Sequence, residues 1–167
     1  MFGNVAEKLV KKRDSVIGMT ASLFRNEQAK ERVALHLTKA LHNLEIAQAL
    51  IALSQAPNAK LLLRVSSELE AYDWAIAAAY YAMYQAVQAA LAHKGYISKS
   101  HTASIRALER LYVNTNLEVE YLKIVKNAKE QREDANYEVT MEFKKIEALE
   151  LQKESQAFVK RITQLLG

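Results

Sequence analysis

Residues 71–84 read Ala71-Tyr72-Asp73-Trp74-Ala75-Ile76-Ala77-Ala78-Ala79-Tyr80-Tyr81-Ala82-Met83-Tyr84 and set the architecture of the whole chain. Alanine combines high helix propensity with a small side chain, so other helices can approach an alanine-rich helix closely. We expect this helix to begin at about Leu61 or Ser66 and to end near His93, with Gly95 as its stop signal. It is the predicted centre of a bundle, and one side carries Trp74, Ala77, Tyr81, Tyr84, Val87 and Leu91.

Apolar residues recur at helical spacing on both sides of this stretch. Upstream, they predict a helix within residues 1–25 and another over 27–54 that ends at the loop around Pro57-Asn58. Downstream, they predict a short helix after residue 101 and longer ones over 117–135 and 139–166. The helix over 27–54 is expected to bury Val33, Leu37, Leu41, Leu44 and Ile51.

Turn-forming residues are scarce. Four glycines and one proline among 167 residues leave few places where a helix must stop, whereas strands and hairpins need many more. The length fits one domain with a single core. We therefore predict an all-α bundle of four to five helices with an additional N-terminal helix. It forms one domain over 1–167, divided into an extension (1–25) and the bundle (27–166).

Composition excludes several kinds of site. The chain has no cysteine, so disulfides, zinc–thiolate sites and cysteine nucleophiles are impossible. Charges interrupt the apolar residues every few positions, and Met1-Phe2-Gly3-Asn4 lacks the pattern of a signal peptide. We therefore expect a cytoplasmic protein without a membrane anchor. Lysine and arginine outnumber aspartate and glutamate by 23 to 19, which permits contact with phosphates without requiring it.

Three elements occur in a characteristic order: residues 71–84 with the later Leu91, then Lys99-Ser100-His101, then Arg132 through Tyr137. In this order and spacing, over roughly Thr38 to Tyr137, the chain resembles the HEPN family of small prokaryotic proteins. The resemblance implies an antiparallel bundle that forms a homodimer, with the late arginines of both subunits facing a shared cleft. It also implies a nucleotide or RNA ligand, and the role of toxin-like partner to a minimal nucleotidyltransferase in a toxin–antitoxin pair.

Ribonuclease members of that family carry an arginine followed, after four to six residues, by a histidine. The pair must meet a ribose hydroxyl and its phosphate. This chain departs from the motif, because the corresponding positions after Arg132 hold Tyr137, Glu138 and Val139. The sequence therefore leaves open whether the protein is a metal-independent endoribonuclease.

Arg132 and Tyr137 are candidate residues on the late helix. The Arg132 guanidinium could grip a phosphate of nucleotide or RNA, or it could be a solvated arginine paired with a neighbouring acid; the resemblance favours the phosphate. Tyr137 stands where the histidine is expected. The resemblance makes it a candidate for nucleotidylation by the partner, and the alternative is packing at a helix end.

His101 and Lys99 are candidates beside the short helix. His101 could act as an acid–base group in place of the missing histidine, or it could simply occupy the first turn of a helix capped by Ser100. Lys99 could attract phosphates. Tyr80, Tyr81 and Tyr84 could stack on bases, although aromatics at helical spacing more commonly pack in a core. Tyr81 is a candidate for binding nucleotide or RNA.

No cofactor or metal is expected. His36 and His42 lie six apart, about 120° around a helix, and so do not form a metal pair. The chain lacks nucleophilic triads and glycine-rich phosphate loops. The leading hypothesis is a HEPN-like homodimer that binds nucleotide or RNA. The alternatives are a non-catalytic interaction or nucleotide-binding module, and a structural helical protein whose first segment docks on another chain.

Overall fold

The structure is a computed structural model that describes residues 23–113, 115–137 and 142–167. Over these residues the chain folds into six α-helices: α1 (Val33–Ser54), α2 (Pro57–Leu63), α3 (Tyr72–His93), α4 (His101–Tyr112), α5 (Val119–Tyr137) and α6 (Lys145–Leu166). A 3₁₀ helix (Glu27–Arg32) precedes α1. Two short strands, β1 (Leu23–Arg25) and β2 (Tyr96–Ser98), pair with each other. The predicted all-α bundle is confirmed, with one small sheet added.

Helix α3 is the centre of the bundle. It packs most extensively against α1, and also against α6 and α5. Its alanines let these helices approach, and the larger side chains between the alanines fill the core. The fully buried large side chains of α3 are Ile76, Tyr80, Met83, Val87 and Leu91.

The predicted start of the central helix was wrong. Helix α1 ends at Ser54, as predicted, but Pro57 does not lie in a loop: it occupies the first turn of α2, where a helix has no use for its missing N–H. Helix α2 ends at Leu63, and the residue that follows it, Arg64, has a left-handed φ of 56°. The chain then turns, and α3 begins only at Tyr72. The spacing of apolar residues predicts Trp74 on the core side of this helix, but its side chain is 67% exposed.

Helix α1 buries small residues. Leu41 was expected in the core, but it is 52% exposed, whereas Ala40, Ala47 and Ile51 are buried. Ala40 and Ala47 are seven residues apart and so lie on one face. An alanine face opposite alanine-rich α3 allows close packing, which a leucine in the same seam would prevent.

The small sheet corrects the prediction for the end of the N-terminal extension. Residues 23–25 form a strand and not a helix, and they pair antiparallel with β2, with Leu23 opposite Ser98. Gly95 ends α3 as predicted, with a φ of +76° that favours glycine, and its carbonyl accepts the Asn26 N–H at 2.7 Å. The predicted helix over residues 1–22 lies outside the described residues.

The last helices differ from the prediction at their ends. Helix α5 spans Val119–Tyr137, close to the predicted 117–135. Helix α6 begins at Lys145 and not at residue 139; residues 142–144 are non-helical, and 138–141 lie outside the described residues. The Phe143 N–H donates to Asp73 Oδ1 at 3.2 Å, which ties the start of α6 to the start of α3. No described helix is long and apolar enough to span a membrane.

Replacing Ala86 by leucine is expected to lower the free energy of unfolding by about 1–3 kcal/mol, because this fully buried position on α3 has no room for a larger side chain. Ala34→Leu, the same change at an exposed position of α1, is the control and should change stability by less than about 0.5 kcal/mol. Urea denaturation measures both. Equal effects of the two substitutions would contradict the role assigned to the small residues of α3.

Candidate functional site

Three tyrosines of α3 form the base of the candidate site. Tyr80 and Tyr84 are one helical turn apart, and their rings lie 6.3 Å apart at an interplanar angle of 24°. The Tyr81 ring is tilted against that of Tyr80 at 5.7 Å. Tyr80 is fully buried, whereas Tyr81 and Tyr84 are partly exposed. The core-packing interpretation therefore holds for Tyr80, while the other two rings reach the surface.

His101 is the first residue of α4 and lies against these tyrosines. Ser100 caps the helix as predicted, and its Oγ accepts the Ala103 N–H at 3.4 Å. The imidazole stacks on the Tyr84 ring with centroids 3.9 Å apart and planes within 5° of parallel. Its Nδ1 is 2.5 Å from the Tyr80 hydroxyl oxygen. Ring stacking and one hydrogen bond thus fix the orientation of the imidazole.

Arg132 reaches the same cluster from α5. Its Nη2 donates to the Tyr81 hydroxyl at 2.7 Å, and its guanidinium carbon lies 5.4 Å from the centre of the Tyr81 ring. Tyr81 also meets His101 edge-on, with ring centres 6.1 Å apart. His101 and Arg132 lie far apart in the chain, but both contact neighbouring tyrosines of α3.

The electrostatics of the cluster favour a neutral imidazole. Burial lowers the pKa of His101 below its usual value, and the positive charges of Arg132 and Lys129 lower it further, against a smaller opposing effect of Glu133. Burial also raises the pKa of Tyr80 well above the usual range. At neutral pH the cluster thus holds a protonated phenol, a neutral imidazole and a guanidinium.

Lys129 is a site residue that the sequence analysis missed, because its stretch of mixed charges looked like a solvated helix face. It forms an ion pair with Glu133 at 2.6 Å and lies three residues before Arg132, on the same side of α5. That spacing was the available signal. Lys129 also borders a groove of about 300 Å³ between α4 and α5, together with Thr102, Ile105, Arg106, Glu109, Lys126 and Glu130.

The other predicted site residues are placed less directly. Lys99 is exposed, and its ammonium lies 5.9 Å from the centre of the Phe24 ring, on the side of the small sheet. No contact between Lys99 and Arg132 occurs among the described residues. Tyr137 is the last residue of α5, but its side chain is outside the described part of the chain. A role in binding stays a prediction for both.

Two further surface features lie away from the tyrosine cluster. A groove of about 710 Å³ between α5 and α6 is lined by Glu118, Glu120, Glu150 and Glu154 among others, and these carboxylates would repel a phosphate. No group of three histidine or acidic side chains suited to a metal ion occurs in the described ranges. His36 bonds instead through Nδ1 to Gln85 Oε1 at 2.8 Å.

The lowered pKa of His101 predicts a pH effect on stability. Because the folded-state pKa lies below 6.5, the unfolded chain takes up this proton first as the pH falls. The contribution of neutral His101 to the free energy of unfolding is therefore fully present above about pH 6.5, and it is lost as the pH falls toward the folded-state pKa. Lowering the pH from about 7.5 to about 5.5 should decrease the midpoint temperature of thermal unfolding more for the wild type than for His101→Gln. An identical decrease would contradict this electrostatic environment.

Comparisons with known proteins identify a family and a relative that this chain resembles. A family model described as the HEPN domain matches residues 52–165, which begins later than the resemblance noted in the sequence and includes α6. A protein of Methanocaldococcus jannaschii named "Putative toxin MJ0142" is 32% identical over 99 residues, covering 53% of this chain and 67% of that protein. Because the family model matches more than half of the chain, this protein belongs to the HEPN domain family.

Proposed function

We propose that this HEPN protein is toxin-like and binds RNA, with Arg132 holding a backbone phosphate and His101 beside it. The observation that carries the proposal is the Arg132–Tyr81–His101 arrangement, in which a guanidinium and an imidazole from different helices meet on one tyrosine cluster. A similarity to a protein named as a toxin supports the toxin-like role.

The charges around the cluster suit a polyanion. Arg132 offers a planar set of donors that matches phosphate oxygens, and Lys129 adds a second cation one turn away. The adjoining α4–α5 groove is lined by the cations Arg106, Lys126 and Lys129 and by the acids Glu109 and Glu130, and Lys126 is paired with Glu109 at 3.2 Å. Its net positive lining could follow a phosphate backbone away from the cluster. The partly exposed faces of Tyr81 and Tyr84 provide stacking surfaces for unpaired bases.

The same residues could support cleavage without a metal. In such a reaction the ribose 2′-oxygen attacks the adjacent phosphorus, the bond from phosphorus to the 5′-oxygen breaks, a base takes the 2′ proton and an acid protonates the leaving oxygen. Arg132 would stabilise the charge on the phosphate, and His101 would transfer a proton. This arrangement would compensate for Tyr137 standing where the family's ribonucleases have histidine.

Arg132→Ala is expected to weaken binding of a single-stranded RNA oligonucleotide about 10- to 100-fold, because a hydrogen-bonded charge at the phosphate is lost. Arg110→Ala is the matched control: it removes the same charge from an exposed position on α4, roughly 14 Å along the helix from His101. Fluorescence anisotropy at constant salt measures both. Equal losses for the two variants would indicate only non-specific charge attraction and would overturn the assigned site.

Cleavage is tested with labelled RNA in EDTA, using the wild type, Arg132→Ala and His101→Ala. If the protein is a ribonuclease, the wild type produces 2′,3′-cyclic phosphate ends and both variants lose at least about 100-fold in rate. Cleavage that persists in both variants would exclude these residues from catalysis. Binding without cleavage would establish the second candidate function, a non-catalytic RNA- or nucleotide-binding module.

One feature favours the non-catalytic alternative. The His101 ring is stacked on Tyr84 and its Nδ1 is bonded to Tyr80, so only Nε2 is left to exchange a proton with a ligand. Lys99 and Tyr137 remain candidate ligand-binding residues in either case. Single substitutions of each, Lys99→Ala and Tyr137→Phe, show whether the bound RNA extends to them.

The proposal includes two protein partners that the family resemblance implies. One is a second copy of this chain, with Arg132 of both subunits facing a shared cleft. Sedimentation equilibrium is expected to give twice the monomer mass of 18.9 kDa. The other is a minimal nucleotidyltransferase, which would modify Tyr137. Mass spectrometry after co-expression with a nucleotidyltransferase from a neighbouring gene should show a nucleotide on the wild type and none on Tyr137→Phe.

A further inference from the structure

The hydroxyl of Tyr80 is enclosed in the core, and its environment determines where its proton points. The Tyr80 side chain is completely buried, and its oxygen is 2.5 Å from His101 Nδ1. Among the described residues this nitrogen is the hydroxyl's one hydrogen-bond partner. A buried hydroxyl whose proton has no acceptor destabilises the fold, so few arrangements of the proton between Tyr80 and His101 are stable.

Two proton arrangements are compatible with this contact. If Nδ1 carried a proton and donated to the phenol oxygen, the phenol proton would be left without an acceptor inside the core. If the phenol donates to an unprotonated Nδ1, both groups are satisfied. Burial keeps the phenol protonated, since it raises the pKa of Tyr80 well above the usual range. The second arrangement is therefore the stable one.

We propose that Tyr80 is a positioning residue that holds His101 in the tautomer with its proton on Nε2, so that the neutral ring presents a hydrogen-bond donor to an RNA phosphate. A neutral imidazole carries one proton, and an acceptor role at Nδ1 leaves it on the other nitrogen. Nε2 has no hydrogen-bond partner among the described residues, and the ring is partly exposed, so this donor is available to a ligand.

The surroundings of the ring reinforce this state. From α3, Tyr84 stacks on the imidazole and prevents it from turning over. From α5, the positive charges of Arg132 and Lys129 disfavour a second proton, and Glu133 opposes them with a smaller effect. Protonation would also place a donor at Nδ1 facing the donor hydroxyl of Tyr80. The geometry and the charges thus keep one proton on the ring, at Nε2.

This inference rests on the proposed RNA-binding function and narrows it. A donor at Nε2 of the neutral ring can bond to a phosphate oxygen. If the protein cleaves RNA, the ring must first take up a second proton before it can protonate the leaving 5′-oxygen, because loss of its single proton would leave an imidazolate anion. The resting neutral ring cannot take the 2′ proton at Nε2, because that nitrogen already carries one. Arg132 and His101 together would offer donors to one phosphate, and any general base would have to be another group.

The tautomer is tested by NMR spectroscopy of the full ¹⁵N-labelled protein at neutral pH, using long-range correlations between the ring protons and ring nitrogens of histidine. The His101→Asn variant identifies which signals belong to His101. The wild type is expected to show a protonated Nε2 and an unprotonated Nδ1 for His101. Tyr80→Phe should shift the ring to a mixture of tautomers. Tyr84→Phe is the matched control, because it removes a hydroxyl while keeping the ring that stacks on His101, and it should leave the tautomer unchanged.

A wild-type His101 with its proton on Nδ1, or an unchanged tautomer in Tyr80→Phe, would overturn the inference. RNA affinity, measured separately, distinguishes this failure from failure of the proposed function. If the tautomer depends on Tyr80 but Arg132→Ala and His101→Ala leave RNA binding intact, the positioning stands and the function fails. If binding needs both residues while the tautomer is wrong, the function stands and Tyr80 has no positioning role.

Discussion

Close packing around α3 is the constraint on which the rest of the structure depends. Its alanines, together with Ala40 and Ala47 of α1, let the helix axes approach, and the larger side chains between them fill the interior. Because α3 is buried over most of its length, α1, α5 and α6 must arrange themselves around it. The small sheet and the turn at Gly95 then bring the start of α4 back against the same helix.

The candidate site uses the place where α3 reaches the surface. Tyr80 points into the core, whereas Tyr81 and Tyr84 keep partly exposed faces, so one turn of helix supplies both an anchor and a surface. His101 and Arg132 are held by these rings and not by each other. Rigid support of this kind is what a phosphate-binding pair requires, since binding then costs little ordering of side chains.

The sequence predicted the helical class, the central helix and the stop at Gly95, because alanine density and helical spacing are local signals. It failed where tertiary contacts override periodicity. Leu41 and Trp74 have core-like spacing but are exposed. Helix α1 buries its alanine face in place of Leu41, and Trp74 lies in the first turn of α3. The strand at 23–25 exists only through pairing with β2, a contact that the spacing of apolar residues does not reveal.

Arg132, His101 and Tyr81 could be named from the sequence, but their mutual contacts could not. Residues 51 apart in the chain, such as Tyr81 and Arg132, meet only after folding. Lys129 went unrecognised because it lies within a run of mixed charges, and its spacing of three residues from Arg132 was the one local signal. Its electrostatic effect on His101 arises from the packing of α5 against α3.

The proposed phosphate-binding site joins Arg132 and His101 on the tyrosines of α3. The most direct measurement is an NMR titration of the labelled protein with a short RNA that contains a non-cleavable 2′-methoxy linkage, following the Arg132 side-chain and His101 ring signals together. Both signals are expected to shift with the same dissociation constant. Independent shifts with different dissociation constants, or a response from only one of the two residues, would contradict the proposed site.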